Sequence, residues 1–136
     1  MKRLFYFLIA LIILITISLS QPVTAKAQET VEVAAAAICR DVVDREPVGV
    51  GDAFEALVSK LWCFTKIVGA QTPTVITHVW YFGDTERATV SLPVRSSIWR
   101  TYSSKIIQSH EIGDWHVDVL GPDGGLLQSL KFEITP

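Results

Sequence analysis

From Ala37 to Ile134 the apolar residues of this chain tend to recur at every second position, with no amphipathic helical pattern among them. A two-residue period sends successive side chains to opposite faces of a strand, so the chain is committed to sheets. The beat is cleanest near the C-terminus. There Trp115, Val117 and Val119 alternate with His116 and Asp118. Beyond Gly121-Pro122-Asp123-Gly124-Gly125, the residues Leu126, Leu130, Phe132 and Ile134 take it up again. Two such runs around a Gly/Pro/Asp turn predict a hairpin.

Upstream, the pattern predicts a strand over about Ala37 to Val43, then an irregular crossing marked by Pro47, Gly49 and Gly51. A second strand is expected from about Leu57 to Val68. Leu61, Cys63, Thr65 and Ile67 lie on one face and Trp62, Phe64 and Val68 on the other, and two apolar faces predict a central position. A third covers Thr74 to Phe82. A fourth, with Ala88, Val90, Leu92 and Val94 alternating against Arg87, Thr89 and Ser91, carries Pro93 and is expected at or near a sheet edge. A fifth spans Ser97 to Gln108. About seven short strands in about 100 residues describe an all-β, antiparallel sandwich of immunoglobulin-like type, with a small barrel as the alternative.

The first residues read differently. Lys2 and Arg3 precede an apolar run from Leu4 to Leu19, and Ala25-Lys26-Ala27 offers small residues at the two positions a signal peptidase reads. Residues 1–27 are thus expected to be a leader helix, cleaved before Gln28. The competing expectation is an uncleaved anchor, since the run approaches the roughly 17 residues needed to span a bilayer. Residues 28–36 suit a linker and residues 37–136 the β domain. Either way the domain is expected outside the cytoplasm: periplasmic or secreted after cleavage, or membrane-anchored, touching the membrane only through the N-terminal segment. Three of the 12 basic residues (Lys2, Arg3, Lys26) lie in the leader, so nine would face 14 acidic ones after cleavage. That balance argues against nucleic acid as a partner.

Cys39 and Cys63 are the two cysteines. An even count in a short exported domain predicts a disulfide, closing a loop of about 25 residues and contributing roughly 3 to 4 kcal/mol. The other use of a thiol, as nucleophile, has no local sequence that would lower its pKa.

Several spaced runs also carry a likeness. Ile38-Cys39, Arg45-Glu46-Pro47-Val48-Gly49-Val50-Gly51 and Leu61-Trp62-Cys63-Phe64-Thr65 are followed in order by His78-Val79-Trp80-Tyr81, Trp99-Arg100-Thr101-Tyr102-Ser103-Ser104-Lys105 and Gly113-Asp114-Trp115-His116-Val117. Together they resemble the bacterial family catalogued as domain of unknown function 2914. The resemblance implies an exported or membrane-tethered bacterial protein and brings no catalytic residue to carry over.

The residues that could carry chemistry also have plainer readings. His116 and Asp118 share a strand face and could in principle hold a metal, but no H-x-x-x-H, C-x-x-C or carboxylate cluster accompanies them. They read as a polar pair on a solvent face, and neither metal nor cofactor is expected. Ser104 and Lys105 are adjacent, which on a strand sends them to opposite faces, and no nucleophile elbow surrounds Ser103 or Ser104. The four tryptophans are more informative. Trp80 and Trp115, with Phe132, are expected in the core, Trp80 against the disulfide. Trp99 with Arg100, Tyr102 and Lys105 would combine aromatic planes and cationic donors suited to a sugar, peptide or anionic group.

The function expected from these features is a non-enzymatic binding or interaction domain of the bacterial envelope, with a glycan, peptide or protein partner. The alternatives are a membrane-tethered structural accessory domain and a hydrolase-like enzyme using His78 or His116.

Overall fold

A computed structural model describes residues 30–136, and the leader expected over residues 1–27 lies outside them. The described residues form ten strands: β1 (Glu32–Cys39), β2 (Asp41–Val43), β3 (Glu46–Val48), β4 (Ala53–Glu55), β5 (Lys60–Val68), β6 (Thr74–Phe82), β7 (Thr85–Val94), β8 (Ile98–Ile106), β9 (Gly113–Leu120) and β10 (Leu126–Thr135). A single 3-10 turn, Ala56–Val58, precedes β5. One sheet has the order β1-β5-β8 and the other β4-β10-β9-β6-β7, while β2 and β3 form a separate ribbon. Every pairing is antiparallel except that of β10 with β4. The chain is therefore all-β, with two sheets packed over a shared core.

The core follows from the alternation. Leu61, Cys63 and Ile67 of β5 and Ile38 of β1 face Ile76 and Trp80 of β6 and Val117 and Val119 of β9, all buried in one cluster. Trp80, Trp115 and Phe132 are almost fully buried, and both tryptophans meet the Phe132 ring. The Phe132 ring stands edge-on to Trp80 at 6.2 Å and to Phe54 at 6.3 Å, and it stacks on Trp115 at 6.0 Å. Arg87 on β7 closes this corner. Its guanidinium lies over the Trp115 ring at 5.7 Å and pairs with the buried Glu111 carboxylate, whose other oxygen accepts from the Gln108 amide at 2.8 Å.

Three expectations need correction. The linker predicted over 28–36 is strand from Glu32 onward. Val33 and Ala36 lie opposite Ile67 and Thr65 of β5 and pack on the core, but alanines give no strand signal of their own. The crossing predicted after the first strand is instead the β2–β3 hairpin. Its turn is Asp44-Arg45, with φ of 51° and 63° at the two central positions, as a type I′ turn requires. The Cys39–Cys63 disulfide is not formed, and both thiols are free and buried. The β1–β5 register sets Cys63 opposite Ile38 and Cys39 opposite Trp62. Side chains one position apart on a strand leave by opposite faces, so Cys63 enters the core while Cys39 lies on the other side of the sheet. Trp80 accordingly packs against aromatic rings rather than a sulfur bridge.

Phe132→Ala should remove the ring that three others share. A loss of about 3–5 kcal/mol is expected, read as a lower urea midpoint at unchanged slope.

Candidate functional site

Strand β8 organises the site. Its pairing with β5 runs unshifted from Lys60↔Ile106 to Val68↔Ile98, which fixes the face of every side chain. Trp99, Thr101 and Ser103 lie opposite Ile67, Thr65 and Cys63 and so point inward, whereas Ile98, Arg100, Tyr102, Ser104 and Ile106 point outward. The four residues expected to form one patch are thus divided between faces. Arg100 and Tyr102 are outward, and Trp99 is inward, half-buried and packed against the core. Lys105 sits toward the other end, its ammonium donating to the Ile106 carbonyl at 3.0 Å.

Three of the four nevertheless meet at one cleft. A cavity of about 460 Å³ is lined by Ile98, Trp99, Arg100, Thr101 and Tyr102, with Arg45, Pro93, Arg95 and Ser96 around them. Lys105 takes no part in it. Arg45 comes from the β2–β3 turn and Arg95 from the connection between β7 and β8, and neither had a periodic signal to announce it. Arg100 Nη2 lies 3.3 Å from a Glu46 carboxylate oxygen, an exposed contact worth at most about 1 kcal/mol. The Arg100 Nε–H is buried without a hydrogen-bond acceptor among the described residues. Beside the cleft, Tyr102 stands edge-on to Trp62 at 5.6 Å, and the Lys60 ammonium lies over the Trp62 ring at 4.6 Å. The chemistry gathered here is three guanidinium groups around two aromatic planes, which suits carboxylate or phosphate groups on a partner with apolar surface.

The inward face of β8 takes part in a different arrangement. His78 of β6 is fully buried between the sheets, with Nδ1 2.7 Å from Ser103 Oγ and Nε2 3.1 Å from Thr65 Oγ1. Thr65 donates its hydroxyl hydrogen to the Thr101 carbonyl at 3.1 Å, so its oxygen accepts from Nε2–H. Trp80 Nε1–H donates to Ser103 Oγ at 3.0 Å, leaving the Ser103 hydroxyl to donate to the bare Nδ1. Every donor in this chain from Trp80 to Thr101 is used, with the imidazole neutral. A serine and a histidine at this distance have the make-up of a nucleophile and its base, but both are sealed inside the sandwich. A substrate would reach them only if the sheets separated.

The other histidine considered for chemistry lies on β9, in the same sheet as His78 but on its outward face. His116 stacks on Tyr81, ring centroids 4.5 Å apart, and its Nε2 is 3.9 Å from Asp118 Oδ1. It borders a second cleft of about 620 Å³ whose charged lining is mainly carboxylate: Asp52, Asp84, Asp114 and Glu133, with Lys131. Among the described residues no three His, Cys, Asp or Glu side chains are gathered as a metal site. Burial pushes both the Cys39 and Cys63 thiols up, so neither is poised as a thiolate.

Burial likewise pulls the pKa of His78 down from 6.5 to about 4. The unfolded chain then takes up the proton first as pH falls. The stabilisation is complete above pH 6.5 and declines between 6.5 and 4, amounting to roughly 3 kcal/mol. The urea stability advantage of the wild type over His78→Gln should therefore shrink as pH is lowered across that window. An advantage constant with pH would show that the imidazole is not held neutral.

No curated protein matches the chain. The fold is similar, over 79% of the chain, to 14% of a beta-glucosidase from Kluyveromyces marxianus solved in complex with glucose, with a TM-score of 0.46 and 8% identity. A likeness at that level carries no argument about this chain. The family model described as Protein of unknown function (DUF2914) matches residues 73–134, from just before β6 almost to the end of β10. Of the runs that carried the resemblance in the sequence, those at His78, Trp99 and Gly113 fall inside the match, and those before β6 fall outside it. The match to the DUF2914 family thus rests on the segment 73–134, which holds His78, Trp80, Ser103 and most of the β8 cleft, and it supports the resemblance carried by the sequence.

Proposed function

We propose that this is a non-enzymatic binding domain of an exported bacterial envelope protein, and that its ligand is an anionic partner held in the β8 cleft. The observation that carries this reading is the convergence of Arg45, Arg95 and Arg100 on Trp99 and Tyr102. It is supported by how charge is distributed. Strands β5 and β8 and the residues joining β7 to β8 contain no Asp or Glu, whereas Asp84, Asp114 and Glu133 line the cleft of the other sheet. In a chain with more acidic than basic residues, a cleft of this sign is a local inversion that attracts anions and repels other acidic surfaces. The export reading rests on Lys2, Arg3 and the apolar run that follows them. The finer fold assignment, an immunoglobulin-like sandwich, belongs to the same proposal. It is supported by Trp80, buried on β6 in the interior of the five-stranded sheet, and by the C-terminal hairpin whose β9 pairs with that strand.

Titration calorimetry of the purified exported protein with polyglutamate and with a polyuronate tests the site. At least one polyanion should bind, more weakly as salt rises, and Arg95→Ala with Arg100→Ala should weaken it at least tenfold with the fold intact by circular dichroism. Equal affinity of the double variant and the wild type would remove the cleft as the site. Binding to neither polymer would remove the anionic reading.

A further inference from the structure

We propose that the partner in the β8 cleft is an extended acidic peptide segment that adds as a further strand to the free edge of β8. This deepens the anionic-binding reading above and rests on it.

The cleft is lined by five consecutive residues, Ile98 to Tyr102. Consecutive residues on a strand alternate between faces, so a cavity that all five border runs along the strand's edge rather than over one face. That edge is open. In its sheet β8 is the last strand, hydrogen-bonded to β5 and to no other.

Exposed edges invite pairing with other chains, and the other edges of the two packed sheets are blunted against it. The β1 strand has a register irregularity between Val33 and Ala35. The β7 edge contains Pro93 and pairs with β6 across another irregularity at Trp80/Tyr81. Strand β4 has three residues. By contrast, β8 offers nine residues with no proline and no register shift. A long, regular edge left unprotected beside a cleft is the feature that strand-addition sites share.

Charge decides what kind of strand fits. Arg45 and Arg95 border the cleft, Arg100 projects from β8 itself, and no carboxylate lines the cavity. Glu46 contacts Arg100 from the hairpin at 3.3 Å, so a carboxylate already fits this position. On the outward face Ile98 and Tyr102 flank Arg100 and are 60% and 40% exposed. An added strand would set alternate side chains beside Ile98, Arg100 and Tyr102. The chemistry selects a peptide with a carboxylate at the central outward position and apolar groups on either side. Backbone hydrogen bonds to β8 would supply affinity and the arginines would supply preference.

The test uses the full purified chain and an eight-residue peptide alternating Glu with Val. Two modified versions carry N-methyl groups on alternate amides, one version for each edge of the strand, so that charge is unchanged. A uronic-acid oligosaccharide of equal charge is the control. The unmodified peptide should bind, should raise hydrogen-exchange protection of amides within Ile98–Ile106, and should lose at least tenfold in affinity when methylated on one edge but not the other. Equal binding by both methylated peptides, or protection that rises elsewhere instead, would overturn strand addition. Binding of the oligosaccharide without the peptide would overturn strand addition while leaving the anionic site standing. Binding of neither would overturn the anionic reading and the strand proposal with it.

Discussion

The two sheets are tied together by one polar chain that crosses the core. Trp80 and His78 belong to one sheet, Thr65, Thr101 and Ser103 to the other, and each hydrogen in the chain has an acceptor. A hydrophobic interface alone tolerates sliding, because apolar contacts have little direction. A buried imidazole does not, since moving β6 by one residue along β8 would leave several polar atoms in a dry core without partners, each costing about 1–3 kcal/mol. The chain thus specifies how the sheets face one another, and the apolar residues around it supply the bulk of the burial.

The position of the candidate site depends on this. Ser103 and Thr101 are held inward by His78 and Thr65, so strict alternation directs Tyr102 and Arg100 outward and brings Trp99 back toward the core. Directly above, the β2–β3 hairpin lies over the outer face of the same sheet, and Cys39 and Phe64 there are buried. Its turn carries Arg45 to the cleft and sets Glu46 against Arg100. The cleft is therefore assembled from a hairpin turn, a strand edge and a connection, each anchored to the same three-stranded sheet.

The two outer sides of the sandwich differ in sign. Cationic and aromatic groups collect along β5 and β8, and carboxylates gather at the cleft of the larger sheet. Such an arrangement steers an acidic partner toward one side and away from the other at long range, an effect that weakens as salt screens it. It also gives a physical reason why an unprotected strand edge need not lead to self-association, since two β8 edges brought together would set their arginines against one another.

Periodicity determined the all-β class, β6 with its observed bounds and the central place of β5, because burial on one or both faces writes itself into alternate residues, while the Gly/Pro/Asp turn added the C-terminal hairpin and Pro93 the edge place of β7. The surplus of tryptophans beside cationic residues marked Trp99, Arg100 and Tyr102, although they lie on two faces of one strand and meet only along its edge. The remainder was decided in three dimensions. Whether two cysteines can join depends on register, and the β1–β5 register turns Cys39 and Cys63 to opposite faces. A type I′ turn at Asp44-Arg45 is held by the hairpin around it and lacks the glycine that would have signalled it. His78 reads in sequence as one polar residue in an apolar strand. Only the packing of the second sheet supplies Thr65 and Ser103, the partners that let it be buried without charge.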